Sequence, residues 1–225
     1  MYYHGTKNDS ADIIVKTQMM EPSVGDDHWL GDGYYFYYEE EYAFRWILLK
    51  YTQNFTNEFS EDYDGIYNQY TIVSAEIDIK PNRLFDLTII ENAIFFQEVK
   101  NLLEERVKIS EKYKNKSIVD GVVFNYIFKY TDHKKNYDAV TAVFPIIYIN
   151  SNSRIDFLPE KQLCVKNSSI ISNYRIYSLN VVPQNYKIFI KKYNNIKGTM
   201  KKRRRNSNRY KTSRNSIKYK KEGLI

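Results

Sequence analysis

The feature that most limits how this chain can fold lies towards its end. From Lys191 to Ile225 there are 14 Lys and Arg residues and one acid, Glu222, with few apolar residues between them. Such a segment cannot bury enough apolar surface to offset the entropy of ordering it. The folding unit is therefore expected within residues 1–190, as one domain, followed by a basic tail at 191–225 that stays flexible or folds on a partner. The whole chain carries a formal charge of +7, yet its first 190 residues hold 20 bases and 26 acids, a net −6. A mildly acidic body thus bears a strongly basic appendage.

The body has the means to build a core. Hydrophobic residues make up 43% of the chain, and 22 tyrosines supply large rings that keep a hydroxyl for hydrogen bonding. One cysteine, Cys164, rules out an intramolecular disulfide and fits a reducing compartment. The first residues show no basic stretch leading into an apolar one, so no secretory signal is expected. The longest apolar run, "AVFPIIYI" from Ala142, is too short to span a bilayer. A cytoplasmic protein without a membrane segment is the expectation.

Periodicity predicts a mixed order of elements. Residues 2–5 read as a strand, and "SADIIVKTQ" as a short helix capped by Ser10. "GDGYYFYY" is a tight turn entering a strand. "EEEYAFRWILLKYTQ" has acids in its first turn and apolar residues at helical spacing. Asn54 to Gly65 is polar and reads as loop. "YTIVSAEIDIK" alternates as a strand does, ended by Pro81, and "RLFDL" reads as another short strand. Thr88 to Lys114 is the longest helical stretch, read as one helix or two. "IVDGVVFN", "AVTAVFPIIYI", "KQLCVKN" and "YRIYSLNVV" read as strands. Helices gathered in the first half and strands in the second predict an α+β fold, not a doubly wound parallel sheet.

Three stretches stand apart from this pattern. "HGT", His4 to Thr6, ends the first strand. "WLGDGYYFY", Trp29 to Tyr37, places two glycines around an acid before an aromatic strand. "EKQLCVKN", Glu160 to Asn167, begins an apolar strand with Gln162. Each has an ordinary explanation: a strand end, a hairpin turn, a surface polar residue. In this order they resemble the ADP-ribosyltransferase superfamily, in its diphtheria-toxin and PARP-like branch, and within it the small bacterial toxin-like members. The matching residues are His4-Gly5-Thr6, Gly31-Asp32-Gly33-Tyr34-Tyr35-Phe36 and Gln162-Leu163-Cys164-Val165. "ADII" and "YAFRWI" add to the likeness, which covers roughly residues 1–170.

The resemblance implies a split antiparallel β-sheet with flanking helices, NAD as co-substrate and no metal. It implies that His4 hydrogen-bonds the adenosine-side ribose. Gly5 would offer its backbone to the nicotinamide carboxamide, with Thr6 supporting that end and Gly33 shaping the turn. Tyr35 would stack on the nicotinamide, and Trp46, with Tyr42 behind it, would close the other side. The family usually has a glutamate where this chain has Gln162. An amide keeps a hydrogen bond to the ribose 2′-hydroxyl but loses the charge that favours an oxocarbenium-like transition state, a loss on the order of 3–4 kcal/mol. Glu160, two residues earlier on the same strand face, is either a general base toward the acceptor or a solvated loop acid. Residues Asn152 to Lys161 would form the loop that recognises the target.

The implied activity is mono-ADP-ribosylation by an intracellular toxin or phage-defence effector, modifying nucleic acid or a protein. Lys and Arg interleaved with Asn, Ser and Tyr in the tail can neutralise phosphates and stack bases, so RNA or DNA is the expected partner. An antitoxin or another acidic protein is the rival partner. Two other functions stay open: a catalytically reduced module that binds NAD or ADP-ribose, and a plain nucleic-acid-binding protein. His28 reads as surface, His133 as a residue of a polar turn without metal-ligand spacing, and Cys164 as a small buried hydrophobe.

Overall fold

The structure is a computed structural model, and it describes residues 1–25, 28–55, 63–109, 118–145 and 159–177. Among these residues seven strands form one sheet: β1 (Tyr2–Lys7), β2 (Tyr34–Tyr37), β3 (Tyr70–Ile77), β4 (Leu84–Asp86), β5 (Ala139–Pro145), β6 (Pro159–Val165) and β7 (Ile171–Tyr177). Their order across the sheet is β4-β5-β6-β2-β1-β3-β7. All neighbours run antiparallel except β4 and β5, which are parallel. The fold is α+β with a mostly antiparallel sheet, as expected, and the β4-β5 edge pair is parallel. It arises because the chain between β4 and β5 passes through helices, the type of crossover that parallel pairing needs.

Among the described residues six helices accompany the sheet: α1 (Asn8–Thr17), α2 (Glu40–Phe55), α3 (Tyr63–Tyr67), α4 (Ile90–Ile109), α5 (Asp120–Tyr130) and α6 (His133–Asn136). Helix α1 begins two residues earlier than its expected cap, Ser10. Asn8 is tied to the far side of α3, its backbone N–H donating to the Gln69 carbonyl at 3.0 Å and its side chain to the Tyr67 carbonyl at 3.0 Å. The chain therefore turns from β1 directly into helix, with Lys7 at the cap position and no side-chain cap. Most of "IVDGVVFN" is not a strand but the N-terminal half of α5. Its buried residues, Gly121, Val123, Phe124, Ile127 and Phe128, follow helical spacing once the residues after Asn125 are included.

Three apolar clusters fill the two faces. On one face α1 packs Ala11 and Ile14 against Phe36, Val73, Leu163 and Val165. On the other, α2 contributes Ala43, Phe44, Ile47 and Leu48 over Tyr37 and Ile72, while α5 lays Phe124, Ile127 and Phe128 over Phe85, Val140 and Cys164. The two halves of the sheet, β4-β5-β6-β2 and β1-β3-β7, meet at a single residue pair, Tyr3 opposite Tyr37. By contrast β1 pairs with β3 at six positions and β2 with β6 at four.

No helix among the described residues is long and apolar enough to cross a membrane. The expected domain end near residue 190, the basic tail and most of the expected recognition loop from Asn152 lie outside the described residues.

Candidate functional site

The strands that carry the three sequence motifs are neighbours. β1 bears His4, Gly5 and Thr6; β2 bears Tyr35; β6 bears Glu160 and Gln162, and the three strands are neighbours in the order β6-β2-β1, with His4 and Thr6 falling by alternation on the face of Phe36 and Val73 and Gly5 on the face of Tyr35 and Gln162. Register places Tyr37 opposite Gln162 and Tyr35 opposite Cys164. Since side chains alternate along a strand, Tyr35, Tyr37, Glu160 and Gln162 share the face covered by α2 and α5.

His4 sits in the seam between the two half-sheets. It pairs with Val73 of β3 and lies edge-on to Phe36, with ring centroids 6.0 Å apart. Its ring is also 6.3 Å from that of Trp46, on α2. Its Nδ1 is 2.8 Å from the backbone carbonyl of Tyr35. A carbonyl can only accept, so Nδ1 carries the proton and Nε2 is left as an acceptor. Burial pulls the imidazole pKa down, with the bond to Tyr35 opposing, so the neutral ring is favoured.

Gly5 has a structural reason to lack a side chain. A Cβ there would stand 2.6 Å from the Ala43 carbonyl oxygen and 2.9 Å from Ile47 Cγ1. Helix α2 presses on β1 at this point. Thr6 is buried in the same strand, opposite Thr71 of β3. Gly33, with φ of 153°, leaves room for the Cys164 thiol and the Val165 carbonyl, each 2.6 Å from where its Cβ would be. The turn before β2 is pinned by the Tyr35 hydroxyl, which donates to the Gly31 carbonyl at 2.6 Å and accepts from the Leu30 N–H at 2.9 Å. Burial pushes the Tyr35 phenol far above its ordinary pKa. Its hydroxyl is thereby fixed, and the ring is held half-buried beside His28, with centroids 5.6 Å apart.

Glu160 is no solvated loop acid. It lies within β6 and is 1% exposed. One carboxylate oxygen accepts from Arg45 Nη1, on α2, and the other from the side-chain amide of Gln162. Burial raises the carboxyl pKa, while Arg45 and then the Gln162 amide hold it down. Tyr37 and Tyr42 enclose the group, their phenols kept protonated by burial first and the Glu160 charge second. Arg45 Nε is buried with no hydrogen-bond partner among the described residues.

Trp46 is half-buried against the α2 cluster, with Lys50 Nζ 5.5 Å from its ring. His28 is half-buried rather than loose on the surface, and lines an open cavity of about 360 Å³ with Trp29, Lys100, Ile118, Asp120 and others. His4, Tyr35 and Gln162 are not among that cavity's lining residues. His133 belongs to an aromatic stack, 4.3 Å from Phe95 and nearly parallel to it. Cys164 is fully buried, as a small hydrophobe would be. No group of three or more metal-ligating side chains occurs among the described residues. Arg45 is the residue that reading the sequence missed. The available signal was a lone cation inside the buried run "YAFRWILL", flanked by Phe44 and Trp46.

Fold and site together define a mixed α+β protein whose sheet carries buried Glu160 and Gln162, joined by half-buried Arg45, beside the seam that holds His4. No family model and no solved structure matches the chain. It is 34% identical over 208 residues to the uncharacterized protein MJ0359 of the archaeon Methanocaldococcus jannaschii, an overlap of 85% of this chain and 93% of that protein. The chain belongs to the same family as that protein.

Proposed function

We propose that this protein is an NAD-dependent mono-ADP-ribosyltransferase acting as an intracellular toxin or defence effector. The observation that carries the reading is the adjacency of β6, β2 and β1, which gathers three motifs separated by up to 158 positions in the sequence. The reaction consumes NAD and an acceptor and yields the ADP-ribosyl acceptor, nicotinamide and a proton. Breaking the nicotinamide–ribose bond builds positive charge on the ribose, so the site must orient the dinucleotide and stabilise a cation.

The chain's residues suit those tasks. His4 Nε2, with Nδ1–H committed to the Tyr35 carbonyl, is an acceptor for a ribose hydroxyl. Tyr35 and Trp46 supply aromatic surface for the pyridine end, with Gly5, Thr6 and Gly33 setting the backbone around it. On this reading Gln162 would meet the ribose 2′-hydroxyl, and Glu160, which accepts from the Gln162 amide, would supply the site's carboxylate. A nucleic-acid acceptor fits the basic tail best, since 14 cations in 35 residues suit a phosphate backbone. The second reading, a module that binds NAD or ADP-ribose without turnover, is favoured by the amide at 162.

The test is incubation of the full chain with NAD labelled in its adenylate, together with RNA, DNA or lysate protein. Transfer of label with release of nicotinamide, both lost in Tyr35→Ala, is expected. NAD binding with neither transfer nor release would leave the module reading. Absence of NAD binding would remove both. Deleting residues after about 195 is expected to abolish RNA and DNA binding at low salt.

A further inference from the structure

We propose that the negative charge of this site resides on Glu160, is held in place by Arg45, and reaches the substrate through the side-chain amide of Gln162. The inference rests on the transferase reading and answers how a glutamine serves where a carboxylate is needed.

The geometry is a row of three side chains. Arg45 approaches from α2 and donates to one oxygen of Glu160, and Gln162 donates its amide N–H to the other. Only the nitrogen of the amide can donate to a carboxylate, so its orientation is fixed and its carbonyl oxygen is the end left for a hydroxyl. An amide that donates to an anion is polarised toward its carbonyl oxygen, which becomes a stronger acceptor. The row therefore presents its negative end at position 162. Glu160 itself is 1% exposed with both oxygens engaged. That arrangement suits a fixed anion, not a base that must receive a proton from an acceptor.

Two further observations favour a functional cluster over a mere clamp between α2 and β6. A buried ion pair adds little stability compared with apolar residues of the same volume. Arg45 also leaves its Nε buried and without a partner among the described residues, an unfavourable arrangement for a purely structural pair. A glutamate at 162 beside Glu160 would set two carboxylates in contact, and one would take up a proton. The glutamine avoids that conflict and keeps a single charge. Arg45 and Glu160 are positioning residues, and Gln162 is the group that touches substrate.

Nicotinamide release from NAD by the full chain, in which water takes the ADP-ribosyl group and a proton is released, is the readout, with NAD affinity and the thermal midpoint measured alongside. Glu160→Gln is expected to lower release about 100-fold or more, the scale of losing one transition-state electrostatic contact, with NAD affinity little changed. The exchange variant Glu160→Gln with Gln162→Glu is expected to recover most of the rate. The apolar pair Arg45→Met with Glu160→Met is expected to fold with an undiminished midpoint yet be as slow as Glu160→Gln, which a structural role would not produce. Release by Glu160→Gln at the wild-type rate, or an active Met pair, overturns the relay. So does a wild type that binds NAD without release, whether or not Gln162→Glu gains release; the NAD site itself then stands. If neither wild type nor Gln162→Glu binds NAD, the transferase reading falls as well.

Discussion

Replacing Gly5 by alanine tests whether this glycine serves helix packing or ligand access. The added Cβ would meet the Ala43 carbonyl oxygen at 2.6 Å, Ile47 Cγ1 at 2.9 Å and Trp46 Cε3 at 3.2 Å. Apolar atoms pack best near 3.5–4.0 Å, and the first of these neighbours is backbone that cannot rotate aside. Helix α2 must therefore retreat from β1 or the strand must bend. Overpacking of this kind destabilises by about 1–3 kcal/mol. Alanine restrains the unfolded chain and returns about 0.4–1 kcal/mol, so the steric term wins. A net loss on the order of 1–2 kcal/mol is expected. For a domain of this size it lowers the thermal midpoint by roughly 2–8 °C. Urea unfolding followed by circular dichroism should show a lower midpoint at unchanged slope. A midpoint equal to or above the wild type would refute the packing argument, and a loss of NAD binding alone would show that the glycine exists for a ligand.

Two predictions concern pH. Because burial lowers the His4 pKa, the folded state prefers the neutral ring. Its contribution is whole above the unfolded value of about 6.5 and is lost as pH falls from there through the lower native value. His4→Gln, which can still donate to the Tyr35 carbonyl, should flatten the stability curve below about pH 6.5; urea midpoints across a pH series that overlay the wild type would refute this. At lower pH the Arg83 guanidinium holds the Asp138 carboxyl below its usual range, with burial opposing and Asn167 assisting. That contribution is present above about pH 3.9 and disappears as pH drops through the depressed native value. Asp138→Asn should remove it, so an acid limb identical to the wild type would refute the assignment.

Much of the fold can be read from local pattern. Helix α2 follows from acids ahead of Ala43, Ile47 and Tyr51 at helical spacing, and β3 from its alternation into Ile77. The strand reading of "IVDGVVFN" fails because β-branched residues dominate its first six positions, while the partners that make it helical, Phe85 and Val99, lie far away in sequence. Helix α6 is a single short turn in a polar stretch, held by distant rings around His133 and so invisible to periodicity. At the site, strand spacing put Glu160 and Gln162 on one face, but burial depends on what covers that face. The cover is α2, and the cation that answers Glu160 is 115 positions away. Gly5 is instructive in the same sense. The absence of a side chain was plain, while the helix that requires it could not be foreseen.

The pairing order also bears on synthesis. β2 finds one neighbour only when β6 emerges, and β3 finds its outer neighbour only with β7, which ends at Tyr177. A nascent chain stopped before residue 159 would leave one side of β2 and one of β3 as bare hydrogen-bonding edges, templates for association between chains. Ribosome-bound intermediates of this protein therefore cannot close their sheet early, and β6 and β7 act as the keystone that makes the earlier strands safe.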